Sequence, residues 1–264
     1  MLVDRDGVAV YDVACRHGRG SGDDIERSPA HMLVLVRRGC FVRSTDSTEV
    51  LFDATLAYAV NPEEEQRIDH PHDAGDDCTA LALAPELVAQ LWGGEAWLPS
   101  QPLETVPALD LEHRRLLAAG RRGEDADALV ERAVVLAAHL LESANQRRVA
   151  AGRPATAARR RALVAGVREA LADCPDRSLS ELARDLATSP HHLSRTFRAE
   201  TGRTIARHRM RLRARAALER LVGGERNLAW LAADAGFADQ SHLTRVLRRE
   251  TGTPPSALRA SLAG

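Results

Sequence analysis

The nine residues SRTFRAETG, from Ser194 to Gly202, return as TRVLRRETG from Thr244 to Gly252, fifty positions later. A chain that repeats a basic, amphipathic segment is expected to fold it twice in the same way. The similarity extends upstream: Leu179, Leu182, Ala183 and Leu186 hold an i, i+3, i+4, i+7 spacing that Leu228, Leu231, Ala232 and Ala235 reproduce forty-nine positions on. Each set makes one apolar face of a short helix. A tight break follows. In ATSPHHL, Ser189 is placed to cap the next helix with Pro190 at its first position, and in GFADQSHL Asp239 takes the capping role. Ser178 and Glu181 have capping-box spacing, and Gly202 and Gly252 supply the C-terminal stops.

Each unit therefore predicts helix, turn, helix. Leu193 and Phe197, or Leu243 and Leu247, face inward; Arg195 and Arg198, or Arg245 and Arg248, face outward. Phe237 reads as core. A short helix buried on one side and carrying donors on the other is what the DNA major groove accommodates. A helical solenoid competes, but two copies fall short of the roughly three such arrays need. Between the units, TIARHRMRLRARAALERLV from Thr204 to Val222 predicts one continuous helix. At ~1.5 Å per residue it is about 28 Å long, approaching the ~34 Å between successive major-groove openings on one DNA face.

Charge divides along the chain. Residues 1–153 hold 16 Arg against 26 acidic residues, a formal −10, whereas residues 154–264 hold 20 Arg against 11, a formal +9. The asymmetry points the second half toward a polyanion, although a chance partition of surface charge gives the same sums. No charged leader with an apolar core opens the chain, and no apolar run nears the ~18 residues of a membrane span, so a cytoplasmic protein without membrane contact is expected. Cys15, Cys40, Cys78 and Cys174 are widely spaced and form neither a disulfide framework nor a zinc finger.

From Gly7 to about Leu83 the pattern changes to short apolar runs of strand type: VAVYDVACRH, HMLVLVRRGCFVRS, EVLFDATLAYAV and CTALALA. They suggest a small β-barrel or sandwich. APELVAQLWGG reads as a helix, and from Asp110 helical spacing predicts a hairpin turning near RRGEDAD. That hairpin either covers the barrel or pairs with a second copy. VAAGRPATAARRR, at 149–161, reads as a linker whose composition also permits helix.

Residues 178–259 resemble the DNA-binding domain of the AraC/XylS family of bacterial transcription regulators, on LSELARDLATSPHHLSRTFRAETG, MRLRARAALERL and LAWLAADAGFADQSHLTRVLRRETGTPPSALR. The β-rich half is similar in architecture to the cupin-like sensing domain that often precedes it. The resemblance implies an α+β chain: a cupin-like β-barrel with a helical hairpin over residues 1–150, then an all-α tandem helix-turn-helix domain over 151–264. It implies base reading by His191, Ser194 and Arg195 in the first unit and by Gln240, Ser241, His242 and Arg245 in the second. Arg198, Arg209 and Arg248 are placed as phosphate contacts. Partners so implied are double-stranded DNA, a small-molecule effector, RNA polymerase and a second copy of the chain. Two departures stand out. The family commonly has Gly where this chain has Ala187, which matters if the turn needs a left-handed backbone, and an aromatic where it has Leu247.

In IDHPHDAGDDCTALALA an extended chain would put His70 and His72 on one side, near Cys78, with His17, His31, Cys15 and Cys40 on neighbouring strands. His70, His72 and Cys78 are thus candidates for an effector or metal site. A polar turn and thiols packed as small apolar residues account for the same pattern more simply, so no metal or other cofactor is expected. An organic effector in the barrel mouth is the favoured ligand. The sequence has no phosphate-binding Gly loop, GxSxG or HExxH, and no enzyme is expected.

Overall fold

The computed structural model describes residues 1–16, 24–46, 48–72, 75–92, 94, 96–145 and 154–263. His17 lies outside these residues, as does the 149–153 part of the expected linker. The first half is built on two antiparallel sheets. One runs in the order β1 (Val3–Arg5), β2 (Val8–Cys15), β9 (Asp76–Leu83), β4 (His31–Arg38), β7 (Leu56–Val60), β10 (Leu103–Glu104). The other runs β3 (Glu26–Arg27), β8 (Glu65–Asp69), β5 (Cys40–Ser44), β6 (Glu49–Asp53).

Period-two alternation splits the large sheet between two cores. Val34, Val36, Tyr58, Val60, Cys78 and Ala80 meet Phe41 and Phe52 of the small sheet. Phe41 and Phe52 stack at 6.0 Å and Tyr58 lies tilted against Phe52 at 4.8 Å, so aromatic side chains fill the space between the sheets. On the opposite face, Val10, Leu33, Leu35, Ala57, Leu81 and Leu83 pack against helix α1 (Pro85–Leu91) and the hairpin of α2 (Pro107–Arg121) and α3 (Ala126–Asn145). Burial on both faces explains why β4, β7 and β9 read as unbroken apolar runs. The hairpin covers the sheet: Leu129, Ala133, Leu136, Leu140 and Leu141 of α3 are buried there.

The second half is helical throughout its described residues. Helix α4 (Pro154–Asp173) begins inside the expected linker, followed by α5 (Leu179–Asp185), α6 (Pro190–Thr201), α7 (Ile205–Val222), α8 (Leu228–Asp234), α9 (Gln240–Thr251) and α10 (Pro255–Ala263). Val167 and Leu171 of α4 join Leu182, Ala183, Leu193, Phe197 and Ile205 in one core. A second core gathers Ala214, Leu218, Leu221, Leu231, Phe237, Leu243, Leu247 and Leu258 with Leu111 and Ala118 of α2. The N-terminal end of α7 thus belongs to the first unit and its C-terminal half to the second.

Charged side chains join the halves. Asp53, at the end of β6, accepts two hydrogen bonds of 3.1 Å from Arg168 of α4 and lies 3.3 Å from His208 of α7, all three buried. Burial alone would raise the Asp53 carboxyl, but Arg168, then His208 and the Thr55 hydroxyl, outweigh it and hold it well below the usual carboxylate range. Burial keeps His208 itself below its ordinary value. Further along α7, Arg211 pairs with Glu104 at 3.1 Å, and Arg215 pairs with Asp110 at 3.3 Å and donates to the Thr105 carbonyl at 2.7 Å. Glu219 pairs with Arg114 and approaches Arg37 at 3.8 Å. Ions this deep are tolerated only because each finds an opposite charge.

Candidate nucleic-acid interface

Two short helices, α6 and α9, carry the candidate surface, and their ends are fixed locally. The Ser189 hydroxyl accepts from the His192 amide at 3.2 Å, and Asp239 accepts from the His242 amide at 2.6 Å. At the other ends Gly202 and Gly252 take φ of 70° and 72°, the left-handed stop that glycine permits. The capping box forms upstream: the Ser178 amide donates to Glu181 at 2.7 Å, and the Glu181 amide donates to the Ser178 hydroxyl at 3.2 Å. Thr204 and Asn227 cap α7 and α8 in the same manner, by hydroxyl and side-chain carbonyl.

The turn before α9 is one residue longer than that before α6, and the two also differ in the residue that takes a positive φ. Ala187 sits at φ 47°, whereas the second unit has Gly236 at φ 74°. An L-residue pays roughly 1–2 kcal/mol there that glycine does not. Gly236 is also the tighter site, because its carbonyl accepts from Arg213 at 2.5 Å and a Cβ would come within 3.0 Å of that guanidinium.

Leu193 and Phe197 are buried on α6, and Leu243 and Leu247 on α9, so the opposite faces are turned outward. His191, Arg195 and Arg198 are exposed on α6; Gln240, Ser241, Arg245 and Arg248 are exposed on α9. Ser194 is half-buried. Among the described residues, the side chains of Arg195, Arg198, Arg245 and Arg248 make no hydrogen bond or ion pair. Glu200 is the one acidic side chain exposed on the two helices, and Arg160 stands 3.7 Å from it. The outward faces therefore present unneutralised guanidiniums beside hydrogen-bonding side chains, the donor set that phosphates and guanine edges accept.

Two candidates also make contacts within the protein. Arg209 is half-buried and donates to the Arg177 carbonyl, with burial and the neighbouring Arg213 lowering its pKa. It ties α7 to the segment before α5, which leaves it the least available of the three expected phosphate contacts. His242 is half-buried with its ring edge-on to Phe237 at 5.3 Å. Phe237 is itself 5% exposed, as a core residue should be. Arg211 and Arg215 carried no motif signal; their i, i+4 spacing with Ala214 on one helical face was the only hint of a buried basic stripe.

In the first half, His70 and His72 diverge because β8 ends at Asp69. The His70 ring is buried 2.5 Å from Asp76, whereas His72 faces Asp173 of α4 at 3.7 Å. Cys78 donates to the other Asp76 oxygen at 2.9 Å. His31 instead bonds Asn61 at 3.2 Å. His70 and Cys78 thus meet at Asp76, and His72 is not part of that group.

Residues 182–261 match the family model described as a helix-turn-helix domain. No curated protein matches the chain. Among solved structures, ToxT from Vibrio cholerae O395 is similar over 97% of this chain and 98% of its own, at 11% identity and TM-score 0.37. The DNA-binding domain of AdpA, the global transcriptional factor, in complex with a target DNA, aligns with 38% of this chain and 90% of its own, at 26% identity and TM-score 0.34. A cupin domain from Bordetella pertussis Tohama I aligns with 31% of this chain and 86% of its own, at 15% identity and TM-score 0.26. Likeness this loose transfers no function, but the sequence match falls on the segment where the helices, caps and duplicated cores were found. Residues 182–261, which hold most of both helix-turn-helix units, are thus similar in sequence to the helix-turn-helix domain family.

Proposed function

We propose that this chain is a sequence-specific transcriptional regulator of the AraC type, in which two helix-turn-helix units read double-stranded DNA and the β-rich half responds to an effector. The observation that carries the reading is the pair of outward faces on α6 and α9, where four exposed arginines have no protein partner among the described residues. In this reading Arg195 and Arg245 pair with guanine and Gln240 with adenine, each worth ~1–3 kcal/mol of discrimination. His191, Ser194, Ser241 and His242 line the same faces. Arg198 and Arg248 add affinity through phosphates.

Residues 1–150 serve as the sensing half and 151–264 as the DNA-binding half. The regulator acts as a homodimer and works on RNA polymerase from the bound site. The buried charges around α7 support coupling between the halves, because an effector that shifts Asp53, Glu104 or Asp110 alters the contacts of the helix connecting both units. The interior between the sheets is occupied by aromatic side chains, which argues for a site at the barrel's end over one deep within it.

Selection of genomic fragments on the purified full-length protein, followed by sequencing, tests the reading. Two short sequence blocks about one helical turn apart, ~10 base pairs, are expected. Fragments sharing no site in any effector condition would rule it out.

A further inference from the structure

At one end of the sandwich, three strands bring together a donor set that no DNA contact uses. Cys15 closes β2, Asp76 opens β9, and the two are direct cross-strand partners, so their side chains share a face. His70, one residue past β8, reaches across from the other sheet. One ligand atom from each of Cys15, His70 and Asp76 lies within 4.8 Å of the other two. His70 and Asp76 are buried and Cys15 is half-buried, which leaves a way in from solvent.

Two features distinguish this cluster from an ordinary polar core. First, Asp76 is 4% exposed, yet among the described residues no arginine pairs with it; its partners are the His70 ring and the Cys78 thiol. Its neighbour Asp77, better exposed, takes Arg16 at 2.9 Å and Arg38 at 2.7 Å. A buried carboxylate calls for a cation, and here the surroundings are groups that bind metal. Second, the backbone is held tightly where it matters. Gly75 adopts φ 61°, and a Cβ there would fall 2.3 Å from the Cys15 carbonyl. Only glycine lets the two strands approach so closely beside both prospective ligands.

We propose that Cys15, His70 and Asp76 form a binding site for a thiophilic divalent cation of the zinc class. Ligand atoms around tetrahedral zinc stand roughly 3.3–3.8 Å apart, as bonds of ~2.0–2.3 Å require, so the Cys15 sulfur needs to draw in by up to about an ångström while the His70–Asp76 pair, 2.5 Å apart, opens to a similar extent. Binding transfers the Cys15 thiol proton to solvent; the proton held between His70 Nε2 and Asp76 moves to Nδ1 of the neutral imidazole or to solvent, and two bonds to the metal replace that hydrogen bond. Cys78, bonded to the second Asp76 oxygen, acts as a positioning residue that orients the carboxylate. The assignment names an effector class for the sensing half proposed above and rests on that reading for its regulatory meaning alone.

The test uses the full-length protein with zinc and cobalt as probes and requires no DNA. After dialysis, one equivalent of zinc is expected to remain, and cobalt should give a thiolate charge-transfer band in the near ultraviolet. Cys15→Ser and His70→Gln, each checked for native circular dichroism, should lower affinity at least ~10–100-fold. Cys174→Ser, at an exposed cysteine outside the site, should bind as the parent does. Zinc that dialysis removes, or binding unchanged by Cys15→Ser, would overturn the assignment. Band shifts on a selected DNA site, run on the same samples, report separately on the DNA-binding reading.

Discussion

Arg168 of α4 places one guanidinium nitrogen 3.1 Å from both carboxylate oxygens of Asp53, a residue 115 positions earlier in the chain. The pair is buried, so each charge depends on the other. Asp53→Asn leaves Arg168 in a dry interior without its anion. A loss of ~3–5 kcal/mol of unfolding free energy is expected from chemical denaturation. Adding Arg168→Met to that variant should recover much of it.

Acid should loosen the same seam. Asp53 and Asp110 have folded-state pKa values held below the unfolded value, so their stabilisation is complete above about pH 5 and fades as pH falls through ~3.9. His113 adds a slope at higher pH. Burial, with the adjacent Arg114 charge, pushes it down to about 3, so the unfolded chain takes up its proton first. Stability from His113 should decline as pH drops below ~6.5. Urea midpoints measured across this range should fall steadily on acidification, and less steeply near pH 6 in His113→Gln.

Ala187 is the residue to change for a gain. At φ 47° it sits where the second unit has glycine, and Ala187→Gly should raise stability by ~1 kcal/mol. Gly236→Ala should cost more than that change gains, because a crowded guanidinium adds to the backbone strain. Thermal unfolding of the two variants checks both signs.

Base reading and phosphate binding separate in salt titrations. Arg195→Ala or Arg245→Ala should relax preference at one base position and cost ~1–3 kcal/mol on the selected site. Arg198→Ala or Arg248→Ala should weaken all sequences alike and reduce the salt slope by ~1.

What could be read in advance depended on whether a feature is local. The caps at Ser178, Ser189 and Asp239 and the stops at Gly202 and Gly252 lie within a few residues of what they satisfy, and all five form as expected. The strands β4, β7 and β9 declared themselves because two cores make them apolar on both faces. β8 did not, because EQRID, between β3 and β5 in the small sheet, is only half-buried and carries charge. Asp53 lies inside the strand-type run EVLFDATLAYAV, and nothing local says that it faces α4. The pairing of Cys15 with Asp76 is likewise set by strand register across 61 residues. His70 and His72 were expected side by side, which assumed an extended chain that ends one residue too early. Arg211 and Arg215 face inward because a neighbouring domain covers them, which helical periodicity cannot announce.

The core of the second unit includes Leu111 and Ala118 from α2, whereas the first unit closes on α4 without them. The two reading heads are therefore unequal pieces for protein engineering. A graft cut at residue 154 would carry the first head whole but strip the second of part of its apolar lining. Exchange of sensing halves between related chains should succeed only where the donor's equivalent of α2 travels with the helices it supports.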